Sequence, residues 1–133
     1  MSNAENNADL AALLLRLVTG AWFLTHGLIK LFVFTPAGTA GYFQSIGLPG
    51  ALGYLTMLLE IVGGLALLAG IATRYVSVVL AAVLLGATWF GHAGNGFTFS
   101  NPGGGWEYPV LWAVVMLALA LLGDGRWSLG KRG

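Results

Sequence analysis

Cysteine is absent from the 133 residues. Disulfides, thiolate metal sites, iron–sulfur clusters and dithiol redox chemistry are therefore excluded, and any redox role must borrow its carrier. Charge is nearly as scarce: Asp, Glu, Lys and Arg make up 8% of the chain and hydrophobic residues 57%, where an ordinary soluble domain has roughly a quarter charged residues. Such a chain cannot cover itself with a polar surface. Lys and Arg are missing from the connections 35–50 and 91–107 and from the stretch before the first apolar run, which holds Glu5 and Asp9 instead. An n-region without positive charge is not that of a cleavable signal peptide, so the first run is expected to remain in the mature protein. The net charge of +1 is too small to suggest a nucleic-acid partner.

What is present is apolar sequence in long pieces: Leu10 to Phe34, Ala51 to Thr73, Tyr75 to Phe90 and Tyr108 to Leu122. A helix needs about 20 apolar residues to cross the hydrocarbon layer. The first two runs are long enough, whereas the last two need flanking residues or local thinning of the bilayer. The expected fold class is all-α: an integral membrane four-helix bundle. The few basic residues orient it, because Arg74 lies between the second and third spans and Arg126, Lys131 and Arg132 follow the fourth. Positive charge collects on the cytoplasmic side. Both termini are accordingly expected in the cytoplasm of a bacterial inner membrane, with the two longer loops outside.

Along the chain, residues 1–9 read as a polar, frayed tail, 10–129 as the transmembrane domain and 130–133 as a basic C-terminal tail. The segment "YFQSIGL" is expected to lie at the outer interface as a short helix. Glu107 and Pro109 suit the first turn of the fourth helix, where a carboxylate meets the positive end of the dipole and a missing N–H costs nothing. Aromatic residues such as Phe34, Tyr42, Trp89, Phe97 and Trp106 gather at the outer ends of the spans. They form either an interfacial belt or a docking surface for a flat apolar ligand.

The candidate site lies in "LTHGLIKLF", residues 24–32, where His26 and Lys30 interrupt an apolar run. At roughly 100° per residue, Arg16, Thr19, Gly20, Phe23, His26, Gly27 and Lys30 share one side of the helix, within about 80° of Arg16. Leu14, Val18, Leu28, Ile29 and Phe32 occupy the other side, which suits lipid. On the second span Glu60 shares a face with Thr56, Gly63 and Gly64, and small residues mark a packing seam in lipid. Measured from the outer boundary, His26 lies about 12 Å deep and Glu60 about 14 Å. A lone charge near the bilayer centre costs at least about 2.5–3.5 kcal/mol on insertion scales. A cluster of Glu60, His26 and Lys30 is therefore expected, with Arg16 as an alternative partner. It reads either as a structural ion pair or as a polar pocket for a quinone. No metal site is expected. A haem held by His26 and His92 is disfavoured because the two histidines differ in depth by more than two turns.

The runs "LLLRLVTGAWFLTHGLIKLF", "FQSIGLPG", "LLEIVGGLALLAGIATR", "NGF", "GGGWEYP" and "GDGRWSLG", in this order, resemble the DoxX family of small four-helix bacterial membrane proteins. That family takes its name from a subunit associated with thiosulfate:quinone oxidoreductase. The resemblance implies a four-helix bundle and a tie to quinone-linked redox, with Arg16, His26, Lys30 and Glu60 as characteristic positions of unassigned role. It does not imply that the chain is itself a catalyst. The first functional expectation is a redox accessory offering a quinone or a partner protein the pocket around His26, Lys30 and Glu60, with no covalent cofactor. The alternatives are a small transporter or proton-conducting channel using the same groups as a relay, and a structural scaffold without activity. The bilayer is the expected surrounding, and homo-oligomers are compatible with all three readings.

Overall fold

A computed structural model describes residues 2–130; Lys131 and Arg132, two of the basic residues used for orientation, lie outside them. Five α-helices are present among the described residues: α1 (Asn3–Phe32), α2 (Thr35–Ser45), α3 (Gly50–Ala69), α4 (Thr73–Ala87) and α5 (Glu107–Leu122). A π-helical turn, Thr88–His92, and a 3-10 turn, Ala93–Asn95, extend α4. No strand occurs among the described residues.

Among the described residues, three helical stretches are long and apolar enough to cross a membrane: α1, α3 and the continuous run Thr73–Asn95. The third is longer than the apolar run in the sequence because the helical path continues through the π and 3-10 turns. Helix α5 has 16 residues and a length of about 24 Å, which is shorter than a roughly 30 Å hydrocarbon core.

The polar beginning of the chain is ordered, not frayed. Ser2 caps α1: Glu5 N donates to Ser2 Oγ, and Ser2 N donates to Glu5 Oε1. This reciprocal pair satisfies two donors that a helix start otherwise leaves open. The 30 residues of α1 measure about 45 Å, so its first turns project beyond the apolar layer.

Helix α1 packs most extensively on α3, and α4 on α5. Glycine sets the first contact. A Cβ on Gly64 would stand 2.7 Å from Leu24 N and 2.8 Å from Gly20 O, so the two backbones touch where the sequence places its small residues. Gly63, one residue earlier, receives Leu80 of α4 against its bare Cα. Among these helices, Ala12, Phe23, Leu67, Leu80, Met116 and Leu119 form the buried core, while Leu14, Val18, Phe32, Leu58, Leu111 and Leu121 face outward. An apolar exterior of this extent suits lipid and not water.

Helix α2, which starts earlier than the interfacial segment read from the sequence, lies across the ends of α1 and α3. Thr39 Oγ1 donates to Lys30 O at 3.3 Å, and Gly53 admits the backbone of Ala40. The opposite end is closed by residues 123–130. Gly125, at φ 70°, lies against Ala12 and Leu13; Arg126 N donates to Asp9 O; and Leu129 N and Gly130 N donate to Ala69 O and Gly70 O.

Candidate functional site

Lys30 Nζ stands 2.8 Å from Glu60 Oε1, joining the last turn of α1 to the middle of α3. Glu60 is buried. Its helix presents Gly53, Glu60, Gly63, Gly64 and Leu67 inward, a spacing of three, four and seven that defines one helical face. Among the described residues this is the ion pair between side chains that the structure records.

The three-residue cluster expected from depth divides into two places. His26 packs against the indole of Trp112 on α5, with ring centroids 5.2 Å apart. With Trp22 and Thr25 it lines a shallow notch of about 230 Å³. Gly27, its neighbour in sequence, carries the contact with α3, where a Cβ would meet Ile61 and Glu60. Adjacent helical residues point about 100° apart, so if Gly27 faces α3, His26 must face elsewhere. The polar side of α1 is wide enough to meet two neighbours, so residues that share it and its depth face α3 at Gly27 and α5 at His26. Lys30 reaches Glu60 because its four-carbon arm spans what a short imidazole cannot.

Arg16 does not join Glu60 or snorkel to water. It is 1% exposed and donates to Leu67 O at 3.0 Å through Nε, to Asp124 O and Arg126 O through one terminal nitrogen, and to Trp127 O through the other. The planar guanidinium carries five donors in fixed directions, and here four of them hold the end of α3 and the C-terminal segment together. Asp124 completes this seal from the other side: its Oδ1 accepts from Thr73 N at 3.1 Å, capping α4, whose own N-cap residue Ala72 has no side chain for the purpose. Arg74 donates to Ala120 O and Leu121 O at the end of α5.

Above the ion pair the helices part into a cleft of about 930 Å³, close to the upper end of the range for small-molecule pockets. Its walls are aliphatic side chains of α3 and α4, such as Leu55, Leu59, Val79 and Val83, with Phe34, Phe43 and Phe90 at the outer end. Lys30, Glu60 and Thr56 supply polar groups on the α1 and α3 side, Thr39 and Tyr42 supply them from α2, and His92 from the π turn. The Tyr42 hydroxyl stands 3.1 Å from where a Gly91 Cβ would be, so α2 reaches the π turn across the mouth of the cleft. Neither His26 nor Arg16 lines this cleft.

In the sequence His92 suggests no more than a disfavoured haem ligand. Its lining position comes from the π turn, in which one residue is added to the helical repeat and side chains are re-aimed; such turns recur at functional sites. A chain of ring contacts connects it to the other histidine: His92 to Phe99 at 5.7 Å, Phe99 to Tyr108 at 5.2 Å, Tyr108 to Trp112 at 5.7 Å and Trp112 to His26 at 5.2 Å. Three rings therefore lie between the two histidines along this path.

The DoxX family model matches residues 11–93, which carry α1 to α4 and the π turn with the cleft and its ion pair. The chain belongs to the DoxX family. It is 42% identical over 79 residues to a protein of Bacillus subtilis strain 168 named "putative oxidoreductase CatD", covering 59% of this chain and 58% of that one. It is 34% identical over 85 residues to "inner membrane protein YqjF" of Escherichia coli strain K12, covering 64% of each. An uncharacterized protein of Haemophilus influenzae strain Rd is 29% identical over 133 residues, covering 99% of this chain and 97% of that one. No solved structure matches significantly. The aligned part of this DoxX chain thus spans less than two thirds of CatD and of YqjF. Family membership and the three long apolar helices make it a multi-pass membrane protein.

Proposed function

We propose that this DoxX protein is an accessory, quinone-interacting subunit of a membrane-associated redox system in the bacterial inner membrane. In this reading α1, α3, α4 and α5 form a bundle of four spans with both termini in the cytoplasm. The observation that carries the reading is the cleft: an apolar volume of about 930 Å³ with Lys30 and Glu60 on its wall. A quinone pairs a flat ring bearing two carbonyls with an apolar tail. The Lys30 ammonium has three donors, and with one aimed at Glu60 the others remain for a carbonyl oxygen. Aliphatic walls suit the ring faces and the tail of a ligand that dissolves in the bilayer. The word oxidoreductase in the name of CatD is in keeping with this assignment.

A transport pathway fits the packing less well. Between the ion pair and the inner end stand Phe23, Leu67, Met116 and Leu119, all buried, and beyond them the Arg16 seal. The experiment is a titration of the purified protein with short-chain ubiquinone and menaquinone analogues. Binding is expected in the wild type and expected to fall in Lys30→Met and Glu60→Gln. Absence of binding, or equal binding in the variants, removes the cleft from consideration and leaves the ion pair a structural one.

A further inference from the structure

His92 occupies the cleft with only one ring nitrogen to spare. Its Nδ1 stands 2.8 Å from Gly104 O. A carbonyl oxygen can only accept, so Nδ1 carries the hydrogen; in the neutral ring Nε2 is then an acceptor and has no hydrogen to give. The tautomer is held by more than one contact. Gly104 O also accepts from Asn95 Nδ2 at 3.0 Å, and Asn95 Nδ2 lies 3.2 Å from Gly91 O. Gly104 has φ 79°, and a Cβ there would press on Phe99 at 2.9 Å and on the His92 ring at 3.3 Å. Phe99 rests against the imidazole. The loop is thus shaped around this ring and its orientation.

The cleft therefore has two unlike polar walls. Lys30 offers hydrogens, whereas His92 Nε2 asks for one. A quinone, which has two carbonyls and no O–H, can answer Lys30 and leaves His92 without a partner. A quinol answers both: one oxygen accepts from Lys30 while the other hydroxyl donates to Nε2. We propose, on the basis of the quinone-site reading above, that His92 is a specificity-determining residue that makes the cleft prefer the hydroxylated, reduced form of its ring ligand. The inference concerns recognition alone and includes no electron transfer. The hydroxyls of Tyr42 and Thr56, which also line the cleft, can donate or accept and so impose no preference, and that of Thr39 is given to Lys30 O.

The test uses three probes on the purified full chain in detergent micelles: decylubiquinol, decylubiquinone and the bis-O-methyl ether of decylubiquinol, with affinities measured calorimetrically. The ether keeps the ring and tail but cannot donate. In the wild type the quinol should bind roughly five- to tenfold more tightly than either of the others, the value of one added hydrogen bond. In His92→Phe the advantage of the quinol over the ether should shrink to within about twofold, because the acceptor that distinguishes them is gone, and an advantage kept at its wild-type size overturns the role given to His92. Equal affinity of quinol and ether in the wild type overturns the role given to His92 while leaving the cleft as a quinone site. Binding of none of the three overturns the cleft reading itself. The ether comparison needs no variant, so it decides the matter even if His92→Phe does not fold.

Discussion

Lys30 and Glu60 meet across the α1–α3 interface at 2.8 Å, with Gly27 beside them holding the two backbones close enough for the contact to form. The ion pair and the glycine seam are parts of one interface, and each depends on the other.

Breaking this pair from one side should be costly. Lys30→Met leaves the buried Glu60 carboxylate without its cation and should destabilise by about 3–5 kcal/mol. The double variant Lys30→Met with Glu60→Leu should recover most of that loss, because two matched apolar residues need no desolvation to be offset. Unfolding of these two variants and of Glu60→Leu alone in mixed micelles, analysed as a double-mutant cycle, reads the coupling. Additive effects would show that the two groups do not interact.

Among the glycines of the α1–α3 seam, Gly64 would bring a Cβ closest to backbone atoms. Its Cβ would meet the backbone of Leu24 and of Gly20, neither of which can rotate away. Gly64→Ala should cost about 1–3 kcal/mol by overpacking, whereas Gly86→Ala, where a Cβ meets nothing within 4 Å, should be neutral or slightly favourable because it removes a helical glycine. Thermal melts of the two variants, side by side, separate the packing effect from helix propensity.

Arg16→Met should release the C-terminal segment. Four carbonyl contacts disappear together, at roughly 1 kcal/mol each, and Arg16→Lys should not rescue them because a single ammonium cannot address Leu67, Asp124, Arg126 and Trp127 in four directions. Limited trypsin digestion checks this: cleavage after Arg126 should be slow in the wild type and fast in both variants. Protection of Arg126 in Arg16→Met would mean that the seal is held by other contacts.

Asp124→Ala should loosen the start of α4 selectively. The lost side-chain acceptor for Thr73 N acts as an N-cap supplied from another part of the chain, worth about 1 kcal/mol. Amide exchange at the first turn of α4 should quicken while α3 is unchanged, and Asp124→Asn, which retains a side-chain oxygen, should lie between the two. Uniform quickening across both helices would point to global destabilisation instead.

Much of this architecture was legible in the one-dimensional pattern. Leu14, Val18 and Phe32 face outward and Arg16, Gly20, Phe23 and Gly27 inward because a helix repeats every 3.6 residues and lipid accepts no charge, two rules that need no knowledge of neighbours. Glu107 stands in the first turn of α5 as its sign requires, and Phe99 N donates to it besides. The pairing partner of Glu60 was harder. Depth along a helix follows from counting, but which neighbour each edge of α1 faces depends on how α3 and α5 are arranged around it, and that arrangement separates His26 from Lys30.

Hydropathy and period determined that this chain is helical, that Arg16 and Glu60 turn inward, and roughly where the long apolar helices lie, because those properties follow from composition and repeat. Only the tertiary structure decided that Arg16 locks the C-terminal segment, that His26 leans on Trp112, and that a π turn brings His92 to the cleft. Those outcomes depend on azimuth and on hydrogen bonds between residues up to 111 positions apart, and such distances leave no local trace in the order of the residues.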